Sequence, residues 1–587
     1  MCGIIGYTGN RVAAPVIKKG LETLEYRGYD SCGVLVVNGK MEMKKNIGKI
    51  KEVFIDDEFL SAEGSLGIGH TRWATHGGVT KENAHPHISN NGKIGVVHNG
   101  IIENYQKLRD FLKGEGFSFE SETDSEIIPN LVEYNMKELD FLGAVKKTLR
   151  MLEGAYALVI VSLDEKLLVG ARKESPLVLG VGDGEYFIAS DIPAFLEYTK
   201  NVIYLEDGDV VVLNHKMHIY NLFQDKEVER PVSTVAWDVE QAKKGDFDHF
   251  MLKEINEQAE VINKSINQNV EVLNNVADEI KKANNVYFVG CGTAYHAGMM
   301  GCSFFSRIAK IDCEAHLGSE FLTKAGLVKE GDVVIAVSQS GETADTLEAV
   351  REAKKRGAKI ISIVNVMGSS LVRESDLTIL QNAGPEICVL STKSYTSQLS
   401  ILVLLTYALL GKIDEGKSVL KEIILYIYYL TSWRMRLQLR NLAGRLKDVH
   451  HIYLIGRGFQ YPTAMEAALK IKEVSYIHAE GFAGGELKHG SIALIEEGTP
   501  CIVFTSKDTE NKIVSNAMEL KARGAYIVGI GPKENEVFDY FIKVRESDIS
   551  NSICQIIPVQ ILAYQLALLR GCDPDKPRNL AKSVTVK

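Results

Sequence analysis

The sequence predicts an N-terminal α+β domain with antiparallel sheets, followed by two copies of an α/β domain with parallel sheets. Short β-type runs bounded by turn residues fill the first 225 or so residues. Past Phe250, apolar strand patterns alternate with long amphipathic helices. The strand, glycine turn and helix start at Val286 recur at Ile452, where Gly456 pairs with Gly290 at an offset of 456 − 290 = 166 residues.

The first domain is the α+β part. Strand patterns cover residues 33–39 and 93–100, and helical patterns cover residues 103–113 and 125–137. From residue 224 to 248 the chain becomes polar and charged around Pro231, which is typical of a linker.

The bulk composition excludes some classes of function. Asp and Glu number 76 against 67 Lys and Arg, so the net charge is −9, which argues against nucleic-acid binding. The 9 cysteines are scattered without a C-x-x-C pair, as expected for reduced thiols in the cytosol. The N-terminus lacks the long apolar segment of a signal peptide. The apolar run at 399–410 is shorter than the roughly 20 residues of a membrane span, so we predict a buried helix there and no membrane association.

Cys2 is the first candidate for catalysis. Removal of Met1 would leave Cys2 with a free α-amino group, whose pKa of about 7.7–8 is close to working pH. One residue would then supply both a thiol nucleophile and its general base. Position alone favours an incidental cysteine, so the interpretation depends on the residues that accompany Cys2.

Those residues have the side chains that a glutamine substrate requires. A guanidinium such as that of Arg72 suits its α-carboxylate, and a carboxylate such as that of Asp124 suits its α-ammonium group. The oxyanion that develops when the amide is attacked needs donors, for which the Asn99 side chain and the Gly100 N–H are suitable.

On these motifs the first domain resembles the class II glutamine amidotransferase family. The motifs are CGIIG from Cys2, YRGYDS from Tyr26, HTRWATHG from His70, HNG from His98 and TDSE from Thr123. The resemblance implies an N-terminal-nucleophile fold, an αββα sandwich, in which the cysteine forms a glutamyl thioester and releases ammonia. The implied roles are nucleophile (Cys2), oxyanion hole (Asn99, Gly100), glutamine binding (Arg72, Thr75, His76, Asp124) and ammonia gate (Trp73).

A metal site is a weaker interpretation of this region. His85 and His87 flank Pro86, but no further His or Cys ligands lie near them in sequence. The family resemblance implies no metal here, so we predict neither a metal nor a cofactor.

The second candidate site follows a strand in the first α/β copy. Residues 332–343, DVVIAVSQSGET, read as an apolar strand that enters a hydroxyl-rich turn before a helix. Such a helix N-terminus is suited to a phosphate, but simple capping by Ser340 explains the same pattern equally well. The matching strand in the second copy continues without a glycine, so only the first copy is expected to bind phosphate.

Further motifs make the second half similar to the sugar isomerase (SIS) domain family. They are CGTAYHAG from Cys291, GSSLVRESD from Gly368, STK from Ser391, GRGFQYP from Gly456, ALKIKE from Ala468, HAE from His478, GELKHG from Gly485 and PRNLAKSVTV from Pro577. The resemblance implies two SIS domains with parallel sheets. The implied roles are sugar-phosphate binding (Thr293, Ser338, Gln339, Ser340, Thr343, Ser391), ring opening (His489), Schiff-base formation (Lys582), proton transfer from C1 to C2 (Glu473) and assistance (Lys470).

Together the two halves resemble the isomerising glutamine–fructose-6-phosphate aminotransferase family. That resemblance implies transfer of the glutamine amide nitrogen to fructose 6-phosphate, giving glucosamine 6-phosphate and glutamate, the first step of amino-sugar (UDP-N-acetylglucosamine) synthesis. It also implies a homodimer in the cytosol. The predicted regions are an amidotransferase domain (1–225), a linker (226–248), a first SIS domain with the sugar-phosphate site (249–435), a second SIS domain (436–575) and a tail that contributes to the sugar site (576–587).

Three departures from the family pattern leave alternatives open. Ala294 replaces a serine, Ser491 replaces a proline, and residues 423–439 are unusually aromatic and basic. An amidotransferase or deglycase acting on another keto sugar phosphate is therefore one alternative, and a non-catalytic sugar-phosphate sensor is another. For residues 423–439, a buried or interfacial connecting helix is favoured over a membrane-active or partner-binding helix.

Overall fold

The structure is a computed structural model of the 587-residue chain and describes residues 2–55, 59–74, 76–214, 216–235 and 244–585. The chain forms two compact units. The first comprises Met1–Ala242 with Ala581–Lys587, and the second comprises Lys243–Leu580. Each unit is described separately.

The first unit contains two antiparallel sheets. Its strands are β1 Gly3–Thr8, β2 Ser31–Val37, β3 Met41–Ile47, β4 Leu66–Arg72, β5 His87–Ile88, β6 Ile94–Ile102, β7 Gly154–Ser162, β8 Leu168–Lys173, β9 Val178–Val181, β10 Tyr186–Ala189, β11 Asn201–Tyr204, β12 Asp209–Leu213, β13 Met217–Asn221, β14 Lys226–Glu227 and β15 Ser233–Thr234. One sheet has the order β15-β11-β9-β10-β1-β4-β2-β3, and the other has the order β14-β13-β12-β8-β7-β6-β5. The predicted antiparallel α+β architecture is thus confirmed.

The helices of the first unit cover the outer faces of these sheets. They are α1 Ala13–Leu24, α2 Ile50–Val53, α3 Tyr105–Gly114, α4 Ile127–Asn135 and α5 Phe141–Met151. Strand β7 shows why the sheets stack, because Ala157 and Val159 point into the core shared by both sheets. The alternate residues Leu158 and Ile160 pack against α3–α5 instead. This alternation produces the αββα order of layers.

Part of the predicted linker is ordered. Strand β14 pairs with β13, and strand β15 pairs with β11, so both extend the sheets of the first unit. Residues 236–243 of the linker lie outside the described part of the chain.

The second unit contains two five-stranded parallel sheets. The strands are β16 Val286–Gly290, β17 Glu314–Leu317, β18 Val333–Ser338, β19 Lys359–Val364, β20 Leu377–Leu380, β21 His451–Gly456, β22 His478–Ala483, β23 Pro500–Phe504, β24 Tyr526–Gly531 and β25 Tyr540–Lys543. Their orders are β17-β16-β18-β19-β20 and β22-β21-β23-β24-β25. The two sheets have the same topology, as the internal repeat predicts.

Helices cover both faces of these sheets. They are α6 Phe250–Asn256, α7 Gln258–Ile266, α8 Val270–Lys282, α9 Thr293–Phe304, α10 Gly318–Ala325, α11 Ala344–Lys355, α12 Ser370–Glu374, α13 Lys393–Leu409, α14 Ile413–Leu430, α15 Trp433–Leu446, α16 Gln460–Ser475, α17 Glu510–Lys521 and α18 Asn551–Leu569. The run at 399–410 lies on α13, which is almost entirely buried, as predicted. Among the described helices, α18 alone is long and apolar enough to cross a membrane, and 89% of it is buried inside the protein.

The atypical segment 423–439 forms two connecting helices, the end of α14 and the start of α15. Ile423, Ile427 and Leu439 are fully buried, so one face of this pair packs into the core. The opposite face carries Leu425 and Trp433, which are 80% and 63% exposed. Residues 423–439 therefore form connecting helices with one buried face and one exposed face.

Candidate active sites

A cavity in the first unit brings together most of the residues predicted to bind and split glutamine. Its lining residues are Cys2, Arg72, Trp73, His76, His85, His98, Asn99, Gly100, Thr123, Asp124, Ser125, Val584 and Thr585. Thr75, which was also predicted to bind glutamine, lies outside the described residues.

The pairing of β1 with β4 determines the position of Cys2. Gly3 is opposite Thr71 in this ladder, so Cys2 lies beside the end of β4. The backbone N–H of Trp73 donates a hydrogen bond to Cys2 Sγ at 3.2 Å. Burial raises the pKa of the Cys2 thiol, although the Trp73 N–H and the Arg72 guanidinium oppose this effect. A nearby base is therefore needed to generate the thiolate.

Asn99 and Gly100 lie next to Cys2 near the end of β6. Asn99 Nδ2 donates to the carbonyl oxygen of Cys2 at 2.8 Å. Gly100 has φ = +126°, and a Cβ atom there would lie 2.0 Å from the carbonyl oxygen of Ala155. Only glycine fits this position, so a glycine is required directly after Asn99.

Arg72 and Asp124 are both buried in the cavity wall. Arg72 donates to the carbonyl oxygens of Gly78 at 3.0 Å and Gly77 at 3.3 Å, and also to that of His76, which holds this turn against β4. Asp124 accepts from the N–H of Ile102 at 2.8 Å and from the Ser125 hydroxyl at 3.2 Å. A fixed guanidinium and a fixed carboxylate suit the two charged ends of an amino acid.

Several buried histidines lie at or near the cavity, and none of them was predicted to take part in glutamine binding or hydrolysis. His85 and His98 line the cavity, and the His70 ring stacks on the His85 ring with centroids 4.2 Å apart. Burial lowers the pKa of His70 to about 3, and it lowers the pKa values of His85 and His87 well below their usual value. The described residues contain no group of three or more His, Cys, Asp or Glu placed to hold a metal ion.

In the second unit, β18 ends in the predicted hydroxyl-rich turn. The Ser338 hydroxyl accepts from the Gly341 N–H at 3.0 Å and lies 3.5 Å from the Thr343 hydroxyl. Gly341 has φ = +67°, and a Cβ atom there would lie 2.1 Å from Ser369 Oγ. The glycine therefore allows the turn to close over Ser338 at the start of α11.

The sequence left open whether this turn caps the start of α11 with a side chain. The N-cap residue of α11 is Thr343, whose side chain makes no capping hydrogen bond. The Ser340 hydroxyl instead accepts from the N–H of Glu342 at 3.2 Å, and the Gln339 carbonyl accepts from the N–H of Asn365 at 3.1 Å. A helix start without a side-chain cap is suited to an anion.

A buried charged cluster lies between α9 and α16. Lys470 Nζ is 2.8 Å from Glu473 Oε2 and 3.3 Å from Glu466 Oε1. It also donates to the Thr293 hydroxyl at 3.0 Å and to the Ser391 carbonyl at 3.3 Å. Burial alone would lower the pKa of Lys470, but the two carboxylates outweigh it and raise this pKa, so Lys470 is an ammonium ion.

Two members of this cluster were not among the predicted site residues. Glu466 Oε1 accepts from the Thr293 hydroxyl at 3.1 Å, and Glu466 Oε2 is 2.7 Å from His296 Nδ1. The helical spacing of residues 466, 470 and 473, four and then three residues apart, was a signal that could have identified Glu466.

Two further predicted residues, His489 and Lys582, belong to different units. His489 is exposed at the end of the 3-10 helix Leu487–His489 and lines a separate cavity with Arg457 and Lys488. None of its described contacts is with Lys470 or Glu473. Lys582 lies in the tail segment Ala581–Lys587, which belongs to the first unit.

Comparisons with known proteins cover both units. A glutamine amidotransferase domain model matches residues 70–197, and a SIS domain model matches residues 279–408 and 445–570. The starts of the two SIS matches are 445 − 279 = 166 residues apart, the offset of the internal repeat.

Full-length relatives are similar over the whole chain. A protein of Thermococcus kodakarensis named glutamine–fructose-6-phosphate aminotransferase (isomerizing) is 48% identical, with 100% of both chains covered. One of the same name from Caldanaerobacter subterraneus is 44% identical, also with 100% of both chains covered. The solved C-terminal domain of glucosamine-fructose-6-phosphate aminotransferase from Francisella tularensis is 32% identical with a TM-score of 0.52, covering 57% of this chain and 99% of that domain.

Proposed function

This chain belongs to the family of isomerising glutamine–fructose-6-phosphate aminotransferases, and we propose how its residues divide that reaction. Glutamine and a phosphosugar are the substrates, and the product is glucosamine 6-phosphate. The glutamine amidotransferase domain releases ammonia from glutamine. The SIS domains hold the sugar phosphate that accepts it.

In the glutamine half-reaction, the thiolate of Cys2 attacks the side-chain amide carbon, and the α-amino group freed by removal of Met1 takes the thiol proton. The carbonyl oxygen becomes an oxyanion that Asn99 Nδ2 and the Gly100 N–H stabilise. Collapse expels ammonia and leaves a thioester, which water hydrolyses to glutamate and free thiol. Removing one such donor lowers kcat by about 10²–10³-fold in other enzymes.

Arg72 and Asp124 would hold the α-carboxylate and the α-ammonium group of glutamine, and His76 and Thr75 are proposed as further glutamine-binding residues. The hydrogen bonds of Arg72 to the Gly77–Gly78 turn support this assignment, because binding of the carboxylate would be coupled to closure of the turn. Trp73, whose N–H contacts Cys2, is proposed as the gate for ammonia.

In the sugar half-reaction, the hydroxyls of Ser338, Ser340 and Thr343 and the side chain of Gln339 bind the phosphate, and Thr293 and Ser391 line the same site. The turn at the start of α11 supports this proposal. Phosphate carries up to two negative charges, which suit the exposed N–H groups of a helix start.

The isomerisation requires an open-chain sugar. His489 would open the ring, and Lys582 would form a Schiff base with the C2 ketone and release water. Ammonia then displaces the lysine, which gives the C2 imine. Glu473 removes a proton from C1 and returns it to C2, so that C1 becomes the aldehyde and C2 carries the amine. Lys470 Nζ, 2.8 Å from Glu473 Oε2, would hold this carboxylate in place.

We also propose that the chain forms a homodimer in the cytosol and binds neither nucleic acid nor membrane. The domain boundaries predicted from the sequence are part of the same proposal. The position of His489 supports the dimer, because this residue is exposed and has no described contact with the Lys470 cluster. In a dimer, the second copy would supply the imidazole of its His489 to the site that contains Lys470. Light scattering measures the mass directly, and a monomer at working concentration would oppose the proposal.

The observation that carries the glutamine assignment is the contact of Cys2 with Trp73 and Asn99 in one cavity. The test is formation of glucosamine 6-phosphate from glutamine and fructose 6-phosphate by Met1-processed protein. Cys2→Ala should abolish glutamate release yet retain conversion of fructose 6-phosphate to glucose 6-phosphate. Glutamate release by Cys2→Ala would show that the nucleophile is another group. Cys501→Ala, which replaces a buried cysteine on β23 of the second unit, is the matched control.

A further inference from the structure

The oxyanion donor Asn99 has a neighbour with no assigned role, the fully buried His70. His70 lies on β4, whereas Asn99 lies near the end of β6. His70 Nε2 is 3.1 Å from Asn99 Oδ1 and 3.1 Å from the carbonyl oxygen of His98. Both partners accept hydrogen bonds only, so the proton of the neutral imidazole must be on Nε2.

The hydrogen bonds of Asn99 are complementary at its two ends. Its Oδ1 accepts from His70, and its Nδ2 donates to the Cys2 carbonyl at 2.8 Å. If the amide were rotated by 180°, its oxygen would face the Cys2 oxygen and its NH₂ would face the N–H of His70. Both contacts would be repulsive, so His70 holds the donor end of the amide toward the nucleophile.

The environment keeps His70 in this form. Its Nδ1 is buried without a hydrogen-bond partner in the structure, and its ring is stacked on that of His85. A second proton on Nδ1 would place a cation in this buried stack, close to Arg72. The ring is therefore a neutral donor throughout the pH range in which the enzyme works.

We propose that His70 is a positioning residue for glutamine hydrolysis. Its Nε2–H fixes the Asn99 amide so that Nδ2 points at the oxyanion. This inference rests on the proposed role of Asn99 as an oxyanion donor. His70 is not among the residues that line the cavity, so it would act through Asn99.

The first test replaces the imidazole. His70→Leu removes the N–H, whereas His70→Gln retains an N–H donor at a similar distance from the backbone. His70→Leu should lower kcat for glutamate release by roughly ten- to a hundred-fold, less than loss of the donor itself, with KM for glutamine changed by less than about three-fold. His70→Gln should restore most of the activity. Equal losses in both variants would overturn the proposal.

A transition-state probe separates positioning from general damage. The γ-aldehyde analogue of glutamine adds to the Cys2 thiol, forming a C–S bond while the aldehyde oxygen receives the thiol proton, and so places an oxygen at the oxyanion position. In His70→Leu its affinity should fall by the same factor as kcat, while the affinity for glutamate stays constant. A parallel loss of both affinities would mean that the pocket is damaged, and the proposal would be wrong. Unchanged isomerisation of fructose 6-phosphate serves as the folding control.

A double-mutant cycle with Asn99→Ala tests whether the two residues act together. If His70 acts through Asn99, then His70→Leu should cost nothing further in the Asn99→Ala background. Full additivity would overturn the inference while leaving the Asn99 role intact. A full-rate Asn99→Ala single variant would instead refute the proposed oxyanion role itself, so the two failures are distinguishable.

Discussion

Replacement of Lys470 by methionine is the sharpest test of the buried charged cluster. Methionine has a similar length and shape but no charge, so the change removes the ammonium ion without leaving a large cavity. Lys470 is fully buried and lies 2.8 Å from Glu473 and 3.3 Å from Glu466. The substitution therefore deprives two carboxylates of their shared cation.

The geometry sets the expected size of the effect. Breaking a buried ion pair by removing one partner costs about 3–5 kcal/mol. His296 stays 2.7 Å from Glu466, so that carboxylate keeps a partner. The Glu473 side chain is 20% exposed, so water partly screens the charge that loses its ion pair. We therefore expect the lower end of the range, about 3 kcal/mol, which corresponds to roughly a hundred-fold change in an opening equilibrium.

Hydrogen–deuterium exchange of peptides from Gln460–Ser475 measures that opening. Exchange in Lys470→Met should be roughly a hundred-fold faster than in the unmodified chain, and isomerisation should be lost. Lys472→Met, on the exposed side of the same helix, is the matched control and should exchange within about two-fold of the original rate. If Lys470→Met exchanged as slowly as Lys472→Met, the cluster would not stabilise α16 and the reasoning would be refuted.

Two further predictions concern pH and assembly. The pKa of His70 is about 3 in the folded state and about 6.5 when unfolded, so its contribution to stability is complete above pH 6.5 and declines as pH falls toward 3. At pH 5, His70 alone should lower the free energy of unfolding of the first unit by about 2 kcal/mol. In urea unfolding, this free energy should depend less on pH in His70→Gln than in the wild-type chain. An equal pH dependence in both proteins would contradict the prediction. The prediction on assembly concerns His489→Asn and Glu473→Gln, two variants expected to be inactive alone. If each copy supplies His489 to its partner, mixing the two proteins should restore up to about a quarter of wild-type activity. No recovery would mean that His489 acts in the site of its own chain or has no part in catalysis.

Much of both candidate sites could be predicted from the sequence because their residues occur in short motifs. Asn99 and Gly100 are adjacent in the chain, and the turn from Ser338 to Thr343 forms locally after its strand. The two parallel sheets follow from the repeat at a constant offset, and the antiparallel sheets follow from alternating strands. Local chemistry and periodicity suffice for features of this kind.

The remaining features depend on contacts between residues that are distant in the chain. Nothing local reveals that His296 meets Glu466, 170 residues away, or that His70 lies against Asn99 from a different sheet. The structure was also needed to show that the Ser340 hydroxyl accepts from the N–H of Glu342 and that the Thr343 side chain does not cap α11. The motif that contains His489 likewise does not predict that its side chain is exposed.

The meeting of α9 with α16 has a consequence for the history of the chain. These helices follow the equivalent strands β16 and β21 of the two repeats, and Thr293 from one contacts Lys470 from the other. The hydroxyl-rich turn from Ser338 to Thr343 occurs in one repeat, and the titratable side chains Glu466, Lys470 and Glu473 occur in the other. The proposed sugar site therefore takes residues from both repeats, so a change in either copy would affect the same site.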